Sequence, residues 1–243
     1  EQWQAALRAV TYQNTSDAPN QTSRTVSYTI YDGTNLSSVV NSSIAVVRGI
    51  NDAPVFGGST VTLDYTENQV PQAINAAITI VDPDQPTDFN GAFLQVSISA
   101  NGAAQDQLSV LNVGSGAGQI GVSGSSVTYG GVQVGTIDSS LNGVNGAALK
   151  ITLNANSTPA AAQALAQAIA YSNTSESPST LTRTVSYTFD DGGNVGSGGA
   201  LEATRTDFIT VRSVNDAPVG TPGAVAIKQG NTYVFAAADF GFT

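Results

Sequence analysis

The chain has 243 residues, with eight basic against 18 acidic side chains, a formal charge of −10, and no Cys, His or Met. Cysteine or histidine metal sites, disulfide scaffolds and triads with a His base are thereby excluded. The acidic balance argues against nucleic acid and anionic membrane surfaces, whose binding rests on Lys and Arg.

The first element in chain order is a helix over residues 2–10, with Trp3, Leu7 and Val10 on one face as core candidates. Val26, Tyr28 and Ile30 then alternate with polar residues toward a turn at Asp32-Gly33. Asn51-Asp52-Ala53-Pro54 interrupts the pattern as a linker. Beyond it the period of two continues in Val61, Leu63 and Tyr65, in Ile78 and Ile80, and in Leu94, Val96 and Ile98. Leu108 and Val110 extend it. The Gly/Ser-rich stretch 114–135 reads as an inserted hairpin or long loop, with strands over 126–129 and 132–137. Leu149, Ile151 and Leu153 mark a further strand. Thr158-Pro159 caps a short Ala/Gln/Leu helix reaching Ala170. Val185, Tyr187 and Phe189 form another strand, and residues 231–235 read as a last one. Asn-Gly pairs at 90, 101, 142 and 145 supply hairpin turns. Many short strands with such turns argue an all-β sandwich fold.

An internal repeat sets the organisation. Residues 12–33 and 171–192 match at 13 of 22 positions without gaps. The Asn-Asp-Ala-Pro copies at Asn51 and Asn215 lie 164 residues apart (215 minus 51), a full domain's length. The chain is thus out of phase with its own repeat. Residues 1–54 are the last part of one unit, 55–218 a complete unit, and 219–243 the start of a third. This reads as a window on a longer tandem chain. No stretch approaches 18 consecutive apolar residues, so no membrane-inserted helix is expected, and Glu1-Gln2-Trp3 does not open a signal peptide. Only 11% of residues are charged, so the solvent face must be Ser, Thr, Asn, Gln and Gly, which suits a secreted or cell-surface protein.

Acidic residues are few, and they fall at linkers and turns: Asn51-Asp52, Glu67 after the first strand, Asp82-Pro83-Asp84, and Asp190-Asp191-Gly192. Calcium takes six to eight oxygens from carboxylates and carbonyls in flexible geometry. A linker Asn-Asp with an Asp-x-Asp from the next loop can supply many of them. The bland alternatives are that Asp-Gly is only a hairpin turn, Asn-Asp-Ala-Pro only a linker, and Asp82-Pro83-Asp84 only a solvated loop. Arg24 and Arg183, matched across the repeat, read as strand-face partners for a carboxylate. Tyr12, Tyr171, Tyr28 and Tyr187 read as core.

The ordered set Asn215-Asp216-Ala217-Pro218, Thr66-Glu67-Asn68, Asp82-Pro83-Asp84 and Asp191-Gly192 resembles cadherins. With the Tyr171–Gly192 block, it resembles more closely the cadherin-like tandem repeats of giant bacterial surface and secreted proteins. The resemblance implies tandem cadherin-like or Ig-like sandwiches, each with one short helix before its last strands. It also implies Ca2+ between consecutive domains, stiffening a rod. Carried over by position, it assigns Asn51, Asp52, Asp82, Asp84 and Asp191 to the first junction, with Asp17 added from the upstream unit. To the second it assigns Asn215, Asp216, Glu67 and Glu176, the repeat partner of Asp17. The chain lacks the Leu-Asp-Arg-Glu motif of true cadherins, and its unit is half again as long.

Catalysis has little to stand on. A carboxylate pair could hydrolyse glycosides without His, but no aromatic cluster accompanies these carboxylates to bind sugar. The expected protein is a non-catalytic structural repeat region, extended for adhesion, biofilm or matrix building. Its partners are neighbouring repeats, and beyond them other copies of the chain or cell-surface glycans. The alternatives are a self-assembling subunit of an extracellular fibre, sheath or surface layer, joined by strand addition, and a carbohydrate-binding module.

Overall fold

The computed structural model describes residues 2–47, 49–218 and 220–241. In chain order, α1 (Gln2–Arg8), β1 (Arg24–Tyr28) and β2 (Val40–Ile44) precede the first Asn-Asp-Ala-Pro linker. After it come β3 (Val55–Gly57), β4 (Thr62–Thr66), β5 (Gln72–Ala73), β6 (Thr79–Val81), β7 (Phe93–Ala100) and β8 (Asp106–Val110). Then follow β9 (Ile120–Ser123), β10 (Ser126–Tyr129), β11 (Val132–Asn142), β12 (Leu149–Leu153), α2 (Pro159–Gln167), β13 (Ile169–Asn173), β14 (Arg183–Asp190) and β15 (Glu202–Arg212). With 37% strand against 8% helix, the protein is mostly β.

One large mixed sheet of eight strands has the order β4-β15-β14-β7-β12-β11-β10-β9. Its one parallel pair is β4 with β15, where Thr62–Thr66 runs alongside Phe208–Arg212. A three-stranded sheet, β5-β13-β8, and two pairs, β3-β6 and β1-β2, complete the strands. The cause is visible in β14, where Arg183, Val185, Tyr187 and Phe189 all point inward and the residues between them do not. Beside them in the same core are Leu94 and Val96 of β7 and Leu149 and Ile151 of β12, with Leu165 of α2 and Tyr171 of β13 from outside that sheet. Tyr65 of the large sheet meets Tyr171 of the small one edge to face, with ring centroids 5.1 Å apart.

Helix α2 starts where its cap predicts. Thr158 is extended, its hydroxyl accepts the Ala161 N–H, and Pro159 occupies the first turn. It ends earlier than Ala170, because the chain turns at Ala168 directly into β13. The Gly/Ser-rich stretch does more than form a hairpin. β9 adds a third strand, and β11 runs on to Asn142 through a register shift between Ile137 and Asn142.

Every hydrophobic residue of the buried core lies between Tyr65 and Val211. Helix α1 buries none of its residues. Trp3 is 56% exposed and Tyr12 47% exposed, while Tyr28 is half-buried, so these are not core residues although Tyr171 and Tyr187 are. The reason is supply: among the described residues, β1 and β2 pair only with each other and no second sheet covers their apolar face. Residues 231–235 form no strand either. Tyr233, Phe235 and Phe240 pack on one another beside a single 3-10 turn over Ala237–Phe240. A strand needs a ladder partner, and none of the described strands pairs with this segment.

Candidate functional site

Topology gathers the first-junction residues. β3 pairs antiparallel with β6, Val55 opposite Val81, so the residues before β3 and after β6 share one end. β14 pairs antiparallel with β7, Asp190 opposite Phe93, which brings the loop after β14 to that same end. The linker itself is stitched to this loop. Asn51 N–H donates to Ser197 O at 2.8 Å, and Ser197 N–H to Gly49 O at 3.1 Å. Glycine is required here: Gly196 has φ +84°, and a Cβ on it would lie 2.6 Å from Asn51 N.

The side chains then interlock. Asn51 Nδ2 donates to Asp191 Oδ2 at 2.8 Å and to Gly199 O at 3.0 Å. Asp191 Oδ1 accepts the Gly193 and Leu201 N–H groups. Asp84 Oδ2 accepts the Asp52 N–H at 2.6 Å, and Asp82 Oδ1 accepts the Asp84 N–H at 2.9 Å. Asp82, Asp84 and Asp191 are all buried. Among the described residues, Asp82 Oδ2 and Asp84 Oδ1 accept no hydrogen bond, and none of the salt bridges reaches these carboxylates.

The electrostatic consequence falls on Asp82. Burial pushes its carboxyl up to about 6, and the nearby charges of Asp191, Asp84 and Asp52 add to the effect. The Asp84 N–H bond opposes it. Keeping a buried carboxylate charged beside three others is costly. Oxygen donors of this kind suit a hard divalent cation such as calcium. The arrangement is not a closed cage: among the described residues, no group of three or more Asp or Glu side chains converges as a ready metal-holding set. The carboxylates instead take backbone N–H groups, which a cation would have to share or displace.

Asp17 is exposed and lies in the loop after α1. It lines a cavity of about 200 Å³ together with Asp84, Gly49, Gln85, Pro86 and Val195, so the upstream segment does reach the junction. Asp52 is exposed and contributes through its backbone.

The second set lies at the opposite end. Because β4 runs parallel to β15, Glu67 follows Thr66 next to the end of β15. Glu67 is 2% exposed; its Oε1 accepts the Val214 N–H, and its Oε2 is buried with no partner among the described residues. Asn215 and Asp216 are exposed just beyond, with Asn215 Nδ2 on the Asp216 carbonyl. Glu176 is exposed in the loop between β13 and β14, at this same end. No hydrogen bond or ion pair joins it to Glu67 among the described residues.

Sequence reasoning missed the backbone partners, namely the Gly193, Leu201 and Asp52 N–H groups and the Gly199 carbonyl. Main-chain groups leave no trace in residue types. It also missed Arg205 and Asp207, whose signal was only two charges on one strand. Neither the protein-family models nor the curated proteins compared with this chain give a match.

Proposed function

We propose that this chain is part of an extracellular tether: a non-catalytic, cadherin-like or Ig-like sandwich unit whose junctions are stiffened by calcium. The observation that carries the reading is the meeting of Asn51, Asp82, Asp84 and Asp191, from three separate parts of the chain, at the end where the preceding segment joins. A calcium ion there would be held by Asp82, Asp84 and Asp191, with Asn51 and Asp52 from the linker and Asp17 from upstream. It would supply charge neutralisation and no chemistry. Glu67, with its orphaned Oε2, would begin the equivalent site at the other end, with Asn215, Asp216 and Glu176. The small three-stranded sheet opposite the large one supports the sandwich reading.

The test is calorimetry of the chain with calcium and with chelator. Millimolar calcium should raise the melting temperature, since extracellular modules bind at about 10⁻⁴–10⁻³ M. Asp82→Ala with Asp84→Ala should abolish that rise, and Asp138→Ala, outside the site, should not. Identical melting with and without calcium would reduce the junction to an ordinary linker.

A second reading is favoured by one observation. The exposed apolar residues of 2–47, among them Trp3, Tyr12, Tyr31, Leu36 and Val40, offer a face that another chain could cover, as in a self-assembling fibre subunit. Concentration-dependent association in light scattering separates the two readings.

A further inference from the structure

We propose that β4, β15 and the Arg205–Asp207 pair form a clamp that carries tension through the unit. The proposal extends the tether reading above, and its geometry is independent of calcium. The chain enters the unit through the linker before Val55 and leaves after Arg212. β4 and β15 are neighbours and parallel over five residue pairs. Pulling the linker loads β3, paired with β6, and through it drags β4 toward one end of the unit, while pulling the exit drags β15 toward the other. The two strands are therefore loaded in opposite directions along their length. All their ladder bonds bear load together, instead of parting one at a time as in a peeled hairpin.

The stretch before β4 would be the weak point, because residues 58–60 lie between β3 and β4 and join no ladder among the described strands. There a side-chain network takes over. Arg205 Nη1 donates to Gly57 O at 2.8 Å and Gly58 O at 2.9 Å. Its Nη2 donates to Ser59 O and to Asp207 Oδ1, and its Nε to Asp207 Oδ2 at 3.0 Å. All five guanidinium donors are used. Asp207 Oδ1 also accepts the Val61 N–H at 2.8 Å, and Oδ2 the Asn75 side chain at 3.1 Å. Both side chains are out of water, Arg205 7% and Asp207 0% exposed. Water therefore cannot stand in for the Arg205–Asp207 bonds as they stretch, while the Gly58 and Ser59 carbonyls lie at the surface. Beyond the strand, Glu67 N–H donates to Arg212 O and Glu67 Oε1 accepts from Val214, closing the far end.

A stability role alone would not need this placement. Counted back from the two Asn-Asp-Ala-Pro copies, Asn41 and Ser43 stand where Arg205 and Asp207 stand, so the pair belongs to the complete unit and not to the repeat pattern.

The experiment is single-molecule pulling on the full chain. The chain has no Cys, so Ala53→Cys and Ala217→Cys give unique handles that load the clamp. Chelator is present throughout, which keeps the outcome separate from the calcium reading. Arg205→Ala, or Arg205→Lys where the first does not fold, should raise the unfolding rate under load by roughly ten- to hundredfold, the effect of losing one charge-assisted hydrogen bond from the barrier. Leu153→Ala removes core contact far from the clamp, and at equal loss of equilibrium stability should raise that rate far less. Arg205→Lys unfolding under load at the native rate would overturn the proposal. So would an equal acceleration by Leu153→Ala. Failure of calcium to alter melting, with these force results intact, overturns only the calcium reading.

Discussion

Asp82→Asn should make the calcium-free protein more stable, not less. The Asp82 carboxyl is raised from 3.8 to about 6, first by burial and then by the charges of Asp191, Asp84 and Asp52. The folded state therefore holds a proton more tightly than the unfolded chain does, in the window between about pH 4 and 6. Stability from this group is fully present below that window and is lost as pH rises through it. Above the window the penalty is roughly 2–3 kcal/mol, because each tenfold change in proton affinity is worth about 1.4 kcal/mol. Asparagine removes the charge and keeps an oxygen for the Asp84 N–H. In chelator at pH 7.5 the variant should therefore melt about 5–10 °C above the native chain, given the usual change in melting temperature per kcal/mol for a domain of this size. At pH 4 the two should melt together. The variant should also lose the rise produced by calcium, so one change stabilises the empty protein and removes the response to the ion. Differential scanning calorimetry at the two pH values, with and without calcium, measures all of this. Melting of the variant at or below the native temperature at pH 7.5 in chelator would refute the reasoning, since the carboxylate would then already be compensated within the fold.

Three other outcomes follow from the same structure. Asp106 accepts from Tyr171 and Asn173 and faces the fully buried Arg183; Asp106→Ala strands that guanidinium and should cost about 3–5 kcal/mol in denaturant unfolding. Leu165→Ala in α2 empties a fully buried site and should cost about 2–5 kcal/mol, whereas Leu7→Ala in α1 should stay within about 0.5 kcal/mol, because Leu7 is already exposed. Burial holds the Tyr171 and Tyr187 phenols well above their ordinary value, with the Asp106 bond adding for Tyr171 and the Asp207 charge for Tyr187; in an alkaline absorbance titration these two should ionise only as the protein unfolds.

Alternation carried most of the fold, because a side-chain period of two is a direct record of which face is covered. Val185, Tyr187 and Phe189 illustrate it, and so do Leu149, Ile151 and Leu153. Thr158-Pro159 placed α2 because capping is local chemistry. Strand order was not readable. That β4 lies parallel to β15 across most of the chain depends on long-range pairing, and neither strand's residues encode it. For the site, residue types singled out the carboxylates, since acidic residues are rare here and fall at turns. Their state was not readable. Asp82 is charged at a cost first because the assembled end buries it, and then because the loops there deliver the carboxylates of Asp191, Asp84 and Asp52.

The two copies of the matched block separate what a segment does alone from what its surroundings do to it. Arg183 donates through Nη1 to the carbonyls two and four residues before it, Leu181 and Ser179. Arg24 reaches the corresponding carbonyls, Thr22 through Nη1 and Asn20 through Nη2. Asn173 and Asn14 each accept the N–H two residues on, from Ser175 and Ser16. The local turns are thus the same in both copies and follow from the shared residues. What differs is the carboxylate. Arg183, Tyr171 and Asn173 converge on Asp106 from β8, while among the described residues Arg24 bonds to backbone carbonyls, Tyr12 is exposed, and Asn14 lies in the open. The segment before the linker therefore folds its own turns and strands, and among the described residues no carboxylate meets its arginine. Its loop can still bring Asp17 to the cavity that Asp84 also lines, because that placement needs the loop's local shape and the linker stitches at Gly49 and Asn51, not a completed core.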